Sequence, residues 1–281
     1  MPLSKDSVNH PSDVSATSDS KAALALLHQI IDRPGTVLIA YSGGVDSGLL
    51  CDIAWERIGK RMYGLLLTGS FIPQQEIEKA ILFARMQGFP LIIRPYNMLA
   101  FSDVTKNTKE RCKFCKQHMA SLLWEVAKVH DCKTIYDGIC VSDTSEYRPG
   151  IAVSTKAGIE HPFLKAGLTK SEIRSIAQAR GLPIWNKPSS ACLASRIPYG
   201  TPLTKDLLKR VESAESYLSV RGFSPLRVRA HNNIARVEIS PEQFEALIEI
   251  RTEVNHAFRE LGFTYTTLDV AGYRSGSMDE S

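Results

Sequence analysis

The stretch at residues 40–47, Ala-Tyr-Ser-Gly-Gly-Val-Asp-Ser, constrains the fold of this 281-residue chain most. It follows an apolar run at 36–40 and precedes apolar residues at helical spacing, which predicts a strand–loop–helix corner. Two glycines let the backbone turn tightly and approach a ligand. The free N–H groups and positive dipole end of the helix suit a phosphate. A capped Ser/Gly turn is the alternative, and the sequence contains no Walker A pattern.

The loop and a second turn supply the candidate nucleotide-binding residues. Asp137-Gly138 follows an apolar stretch at a strand end, where parallel sheets bind ligands, although a simple strand-ending turn is equally consistent. The predicted nucleotide-binding residues are Ala40, Ser42, Gly43, Gly44, Asp46, Ser47, Asp137 and Gly138. Asp46 is also a predicted catalytic residue.

Alternating strand and helix patterns in the first half of the chain predict an α/β fold with a parallel sheet. The strands are predicted at 36–40, 62–67, 91–94 and within 133–140, and the helices at 21–33, 45–59, 73–87, 113–130 and 169–180. A helix at 205–220, a hairpin around 232–233, a helix at 241–261 and a strand at 265–270 predict a smaller α+β domain. The expected organisation is a disordered tail (1–19), a nucleotide-binding domain (20–185), a cysteine-bearing active-site segment (186–204) and a substrate-binding or oligomerisation domain (205–281).

Composition narrows the functional class. The formal net charge of +4 suits an anionic ligand but falls short of the concentrated basic face of an RNA-binding protein. No apolar run has transmembrane length, and the first twenty residues lack the apolar core of a signal peptide. We therefore expect a cytoplasmic protein without a nucleic-acid or membrane partner.

Three of the six cysteines stand in positions typical of chemistry. Cys112 and Cys115 form a C-x-x-C pair just before a helical pattern, and Cys192 lies in an irregular segment. The pair alone is consistent with a redox couple, half of a zinc site completed by a residue such as His118, or part of an iron–sulfur site. Three thiolates leave one corner of a 4Fe-4S cluster open, so we predict Cys112, Cys115 and Cys192 as its ligands. The other cysteines, Cys51, Cys132 and Cys140, sit in apolar patterns typical of a core.

Arginines in the C-terminal domain are candidates for anion binding. Arg227 and Arg229 alternate along a predicted strand and so share one face. A substrate phosphate explains such a pair, and pairing with Glu238 on a solvated face explains it equally well. In the middle of the chain, Asp143, Glu146 and Arg148 are candidates for binding magnesium or substrate, or merely solvate a loop.

The combined motifs resemble the LarE family, which belongs to the ATP pyrophosphatase (PP-loop) superfamily. Besides the loop, the resemblance rests on DTSEYRPG (143–150), WNK (185–187), SRIPYGT (195–201), RVR (227–229) and GYRSG (272–276). It covers about residues 20–278. It implies an adenine nucleotide alpha hydrolase-like domain. It also implies a sulfur transferase that adenylates a carboxylate of pyridinium-3,5-biscarboxylic acid mononucleotide and forms a thiocarboxylate for nickel-pincer nucleotide, the cofactor of lactate racemase.

The resemblance also implies cofactors and residue roles. ATP, Mg²⁺ and a 4Fe-4S cluster are the implied cofactors, because the three cysteines match the family form that reloads a cluster rather than sacrificing one cysteine. Cys192, Ser195 and Arg196 are implied to be catalytic, and the implied substrate-binding residues are Arg148, Glu215, Arg227, Arg229 and Arg274. The sulfur step requires the cysteines to converge beside the phosphate loop. A homo-oligomer, commonly a hexamer, is implied. A tRNA thiolation enzyme or an amide-forming ATP pyrophosphatase is the alternative.

Overall fold

The structure is a computed structural model that describes residues 18–144, 149–188 and 191–274. The strands are β1 (Thr36–Ala40), β2 (Met62–Thr68), β3 (Leu91–Pro95), β4 (Cys132–Tyr136), β5 (Leu226–His231), β6 (Ile234–Ile239) and β7 (Tyr265–Leu268). The α-helices are α1 (Ser18–Ile31), α2 (Val45–Ile58), α3 (Gln74–Gln87), α4 (Ser102–Thr105), α5 (Arg111–Val129), α6 (Pro149–Lys156), α7 (Pro162–Lys165), α8 (Lys170–Ala179), α9 (Lys205–Ser219), α10 (Phe244–Glu249) and α11 (Arg251–Glu260).

The first of two compact units consists of Met1–Leu67, Lys79–Arg94 and Gln117–Ser189. Its sheet has the strand order β3-β2-β1-β4, with β1 parallel to both β2 and β4. Three successive residues of β1, Val37, Leu38 and Ile39, are buried, as expected for a central parallel strand covered on both faces. The predicted α/β class with a parallel sheet is confirmed.

The second unit consists of Thr68–Glu78, Pro95–Lys116 and Ser190–Ser281. Strands β5 and β6 form an antiparallel hairpin, and β7 pairs with β6 in parallel. Asn232 adopts a positive φ of 54° in the hairpin turn, a conformation that asparagine tolerates. The smaller α+β domain is confirmed, but this unit is discontinuous in sequence. The domain boundaries expected above, which are continuous in sequence, remain a prediction.

The element boundaries agree with the sequence reasoning where local signals are strong. The Thr-x-x-Glu spacing at residues 169–172 predicts a capping box at the start of α8, and the side chains of Thr169 and Glu172 form it. Three short helices, α4, α6 and α7, were not predicted, and α6 lies in a Gly- and Pro-containing stretch. The helix expected at 241–261 is split into α10 and α11. The split occurs because Ile250 has φ −97° and ψ 18°, outside the helical region.

Candidate functional site

The predicted phosphate loop joins β1 to α2 in the first unit. Gly43 has φ +74°, and a Cβ atom there would lie 2.5 Å from the Cβ atom of Ala80, so both its conformation and its packing require glycine. Gly44 occupies the N-cap position of α2 in extended conformation. Because glycine offers no capping side chain, the first-turn N–H groups are not capped by residue 44, as a phosphate site requires.

Two serine hydroxyls hold the loop in shape. The Oγ atoms of Ser42 and Ser47 are 3.0 Å apart, and the backbone N–H of Ser42 donates to Ser47 Oγ at 3.1 Å. Ser47 is 4% exposed at the start of α2. These contacts close the loop on itself and keep the six residues 42–47 at the helix N-terminus.

Asp46 carries the site's carboxylate. Its Oδ2 atom accepts a hydrogen bond from Lys170 Nζ at the start of α8. Its Oδ1 atom is buried and has no hydrogen-bond partner among the described residues. A buried carboxylate oxygen without a partner is unfavourable and is a suitable ligand for a hard cation such as Mg²⁺.

Two lysines that sequence reasoning did not assign to the site also lie at the loop. Lys170 contacts Asp46, and Lys187 Nζ donates to the carbonyl oxygen of Gly43 at 2.9 Å. Arg174 Nη1 and Nη2 donate to the carbonyls of Trp185 and Lys187 and so fix the segment that carries Lys187. The lysine of the WNK motif was the available signal for Lys187. Lys170 gave no local signal because it follows a helix cap.

The second predicted turn, Asp137-Gly138, lies directly against the start of α2. A Cβ atom on Gly138 would lie 2.9 Å from the backbone nitrogen of Ser47. Asp137 Oδ1 lies 2.6 Å from His161 Nδ1 and accepts the backbone N–H of Ile139 at 3.2 Å. Both Asp137 and His161 are buried. The carboxylate therefore fixes this turn beside the phosphate loop, and its direct contact with nucleotide stays a prediction.

All three predicted cluster cysteines belong to the second unit, and none of them forms a disulfide. Cys112 is exposed, whereas Cys115 and Cys192 are partly buried. Burial, with smaller effects of the Cys192 and Cys112 thiols, raises the pKa of Cys115 to about 12. The three soft donors are the type that iron–sulfur clusters use. In the described residues, however, no group of three His, Cys, Asp or Glu side chains is arranged so that it could hold a metal ion.

The remaining cysteines behave as core residues, as predicted. Cys51, Cys132 and Cys140 are all buried. Burial raises the pKa of each thiol, so these cysteines remain protonated and unreactive at neutral pH.

The loop that carries Cys192 is held by a buried arginine. Arg196 is 1% exposed and forms a bidentate pair with Glu215 of α9, with N–O distances of 2.9 and 3.1 Å. Its Nη1 atom also donates to the carbonyls of Ala191 and Cys192 and to Ser195 Oγ. Arg196 and Glu215 thus fix the loop, and the catalytic roles predicted for Ser195 and Arg196 are neither supported nor contradicted by these contacts.

The two arginines of β5 have different surroundings. Arg229 is 4% exposed, pairs through Nε with the fully buried Glu238 at 2.5 Å, and donates to the carbonyl of Ser195. Arg227 lies over the Tyr273 ring, with its Cζ atom 5.3 Å from the ring centroid. Burial, and then the charge of Arg196, lower the pKa of Arg227, so an anion beside it would be stabilised. Arg227 is therefore the better placed of the two for a substrate phosphate.

Some predicted residues carry less information. Glu146 and Arg148 lie outside the described residues. The carboxylate of Asp143 accepts the backbone N–H of Cys140 at 3.0 Å, which ties it to a local turn. Arg274 is the last described residue. In the part of the chain that the structure describes, no helix is long and apolar enough to cross a membrane.

Comparison with known proteins gives relatives along nearly the whole chain. An uncharacterized protein of Synechocystis sp. is 35% identical over 261 residues, which are 92% of this chain and 97% of that protein. The pyridinium-3,5-bisthiocarboxylic acid mononucleotide synthase of Lactiplantibacillus plantarum is 33% identical over 246 residues, 87% of this chain and 89% of the synthase. A glutamine-hydrolyzing GMP synthase of Aeropyrum pernix is 26% identical over 63% of this chain but only 38% of its own length. No family model matches the chain.

Proposed function

This chain belongs to the LarE family of ATP-dependent sulfur transferases, and from that premise we propose its substrate and its steps. The proposed substrate is pyridinium-3,5-biscarboxylic acid mononucleotide, of which the chain adenylates a carboxylate and converts it to a thiocarboxylate. The observation that carries the proposal is the 33% identity to a pyridinium-3,5-bisthiocarboxylic acid mononucleotide synthase over 87% of this chain. The product serves nickel-pincer nucleotide biosynthesis in this proposal.

The first step is adenylation at the phosphate loop. A carboxylate oxygen of the substrate attacks the α-phosphorus of ATP, the bond between the α-phosphorus and the bridging oxygen breaks, and pyrophosphate leaves with that oxygen. The N–H groups at the start of α2 stabilise the charge that develops on the phosphates. Lys170 and Lys187, which contact Asp46 and Gly43, add positive charge at the same loop.

Mg²⁺ is the proposed metal of this step. The orphaned Oδ1 atom of Asp46 supports it, because a buried carboxylate oxygen suits a hard cation that also binds phosphate oxygens. Asp46 would hold the ion, which would supply positive charge to balance the phosphates of ATP. Lys170 would then move its contact from Asp46 to a phosphate oxygen.

In the second step sulfur replaces AMP at the activated carbonyl. The proposed sulfur source is a 4Fe-4S cluster, supported by the chemistry of three soft cysteine donors in one unit and not by their arrangement, since the described residues contain no group of three side chains placed to hold a metal. When bound on these three cysteines, such a cluster would supply a reloadable sulfide for transfer. Arg196 and Glu215 keep the Cys192 loop in place while AMP leaves as the weakly basic phosphate monoester. The phosphate loop and the cysteines lie in different units, and their meeting stays part of the proposal.

The phosphate of the substrate is proposed to bind at Arg227. Its guanidinium is half-buried, stacks on Tyr273 and has a pKa lowered by burial and by Arg196. An anion would offset both effects. Arg229 supports this site indirectly, because Glu238 already neutralises it. Glu215 and Arg274 remain proposed contacts on the family resemblance, as does Arg148.

Assembly and location are proposed from the family resemblance as well. We propose a cytoplasmic homo-oligomer, a hexamer in the family's common form. Light scattering coupled to size-exclusion chromatography of the full chain measures the mass directly, and a monomer at micromolar concentration would contradict this proposal.

The decisive experiment measures both products. The protein, reconstituted anaerobically with iron and sulfide, is mixed with ATP, Mg²⁺ and the dicarboxylate mononucleotide. We expect pyrophosphate release and a thiocarboxylate product, the latter identified by mass spectrometry. A tRNA substrate, or ammonia as the nucleophile, serves as the comparison, and pyrophosphate release dependent on either would favour the alternative enzyme class. Loss of hydrogen sulfide from Cys192 after one turnover, leaving dehydroalanine, would show that this cysteine donates its own sulfur and would contradict the cluster mechanism.

A further inference from the structure

We propose that Asn107 and Arg111 are positioning residues that hold the Cys192 loop against the start of α5, where Cys112 and Cys115 lie, and that Arg111 supplies the positive charge for the anionic sulfur group there. The proposal rests on the function proposed above only in its purpose, the sulfur step. The contacts that carry it lie entirely within the second unit.

Asn107 connects the two segments through its side chain and backbone. It is fully buried, and its Nδ2 atom lies 2.8 Å from the carbonyl oxygen of Pro198 and 2.9 Å from that of Thr201. Its own backbone carbonyl accepts the N–H of Gly200 at 2.9 Å. It adopts φ 53°, which asparagine tolerates better than most residues. A single side chain thus satisfies two partly buried carbonyl groups of an irregular loop, and leaving such groups without a hydrogen bond would be unfavourable.

Arg111 makes the second connection. It is 4% exposed, and its Nη1 atom donates to the carbonyl of Ala194 at 3.0 Å and to the side-chain oxygen of Asn107. Its Nη2 atom lies 3.8 Å from Cys112 Sγ. The guanidinium also lies over the Tyr199 ring, 5.3 Å from the centroid. The same side chain therefore contacts both segments and the first cysteine.

The charge of Arg111 needs an anion. Buried arginines are normally paired with carboxylates, since an uncompensated buried charge is strongly unfavourable. Among residues 18–144, 149–188 and 191–274, no carboxylate lies within ion-pair distance of Arg111. The Cys112 Sγ atom lies 3.8 Å from Nη2 of this guanidinium. An anionic sulfur group on the cysteines would balance this charge, whereas a neutral apolar site would not.

Further hydrogen bonds hold the opposite side of the loop that carries Cys192. Arg196 and Arg229 tie Cys192 and Ser195 to α9 and β5. Asn107 and Arg111 tie Ala194, Pro198 and Thr201 to the turn before α5. Contacts on both sides restrict the conformation of this irregular loop. We therefore expect the Cys192 thiol of the wild type to lie close to the C-x-x-C pair even without a bound cluster.

The test measures thiol proximity in the cluster-free protein. Wild type and the variants Arg111→Met, Arg111→Lys and Asn107→Asp are treated with dibromobimane, a short thiol-to-thiol cross-linker, and peptide mass spectrometry scores the link from Cys192 to Cys112 or Cys115. Lys109→Met, an exposed position on the same turn, is the matched control. We expect the cross-link in wild type and control, about tenfold slower formation in Arg111→Met, and partial rescue in Arg111→Lys.

The outcomes separate this proposal from the function itself. Cross-linking of Arg111→Met at the wild-type rate, or no cross-link in wild type, would overturn the positioning role. If Asn107→Asp does not fold, the comparison of Arg111→Met with Arg111→Lys still tests the positioning role. Iron and sulfide content is measured in parallel, and we expect Arg111→Met to bind less of both than Arg111→Lys. A wild type that cross-links but binds no iron would contradict the cluster and leave the loop positioning supported.

Discussion

Lys170 and Asp46 form an ion pair across 124 residues of sequence, which connects the start of α8 to the phosphate loop. The pair neutralises one oxygen of the carboxylate, and the other oxygen has no hydrogen-bond partner among the described residues. This arrangement supports the cation proposed at Asp46 and the proposed transfer of the Lys170 contact to a phosphate.

Replacing Lys170 by Ala should slow pyrophosphate release more than tenfold. A charge-assisted hydrogen bond of this kind contributes about 1.5–3 kcal/mol, and both Asp46 and the phosphates lose it. The rate is measured with a coupled pyrophosphate assay at saturating ATP. Lys133→Ala removes a lysine of the same unit that is exposed and should leave the rate unchanged. Equal rates for both variants would show that Lys170 does not contribute to adenylation.

Replacing Gly43 by Ala should destabilise the loop and abolish ATP binding. The new Cβ would have to occupy the position 2.5 Å from Ala80 Cβ, in a backbone conformation with φ +74°. Gly167→Ala is the matched control, because it has φ +76° but no atom within 4 Å of the new Cβ. Both variants lose about 1 kcal/mol or more from strain, measured by urea unfolding. Only Gly43→Ala should also lose ATP binding, measured by calorimetry, and retention of ATP affinity there would contradict the close packing.

Arg227→Ala and Arg229→Ala should have different effects. Removing Arg227 should weaken binding of the phosphorylated substrate by about tenfold or more, with ATP affinity and stability little changed. Removing Arg229 leaves Glu238 buried, so unfolding free energy should fall by about 3 kcal/mol, the lower end of the usual range, because Arg236 still donates to Glu238. Substrate binding is measured by calorimetry and stability by urea unfolding. Two variants with the same profile would show that the arginines share one role.

Cys115 should react more slowly with iodoacetamide than Cys112 in the cluster-free protein. Burial, with Cys192 and Cys112, raises its pKa to about 12, and only the thiolate is nucleophilic. Timed alkylation at pH 8.5 followed by peptide mass spectrometry gives both rates. Because the unfolded chain ionises this thiol first, the stability that it contributes is complete below the ordinary thiol pKa and is lost as the pH rises toward 12. Cys115→Ser should therefore lose less stability than wild type between pH 8 and 10.

Local sequence signals were sufficient for the elements around the predicted phosphate loop. The loop between β1 and α2 was predicted to the residue because its glycines, apolar strand and helical spacing are contiguous. Helix α8 was predicted equally well from its capping box. The break at Ile250 was missed because the apolar spacing continues through it, and α6 was missed because glycine and proline normally indicate a loop.

Residues whose partners lie far away in the sequence could not be predicted from local patterns. The sequence suggested Glu238 as a partner of the two β5 arginines, but on a solvated face. Only the folded sheet shows that Glu238 lies opposite Arg227 on β6 and forms a buried ion pair with Arg229. Lys170, Asn107 and Arg111 gave no signal, since their partners are far away in sequence. Side chains whose partners are carbonyls or carboxylates distant in the sequence produce no periodic sequence pattern.

The second unit is built from three separate stretches, two of which interrupt the sequence of the first unit. A recombination event that exchanged only the C-terminal stretch, Ser190–Ser281, would bring a foreign Cys192 loop to a resident Asn107 and Arg111. The positioning role proposed for Asn107 and Arg111 therefore requires the segments Pro95–Lys116 and Ser190–Ser281 to be inherited together. In chimeras made between relatives, the relative positions of Cys112, Cys115 and Cys192 should be retained only when both segments come from the same parent.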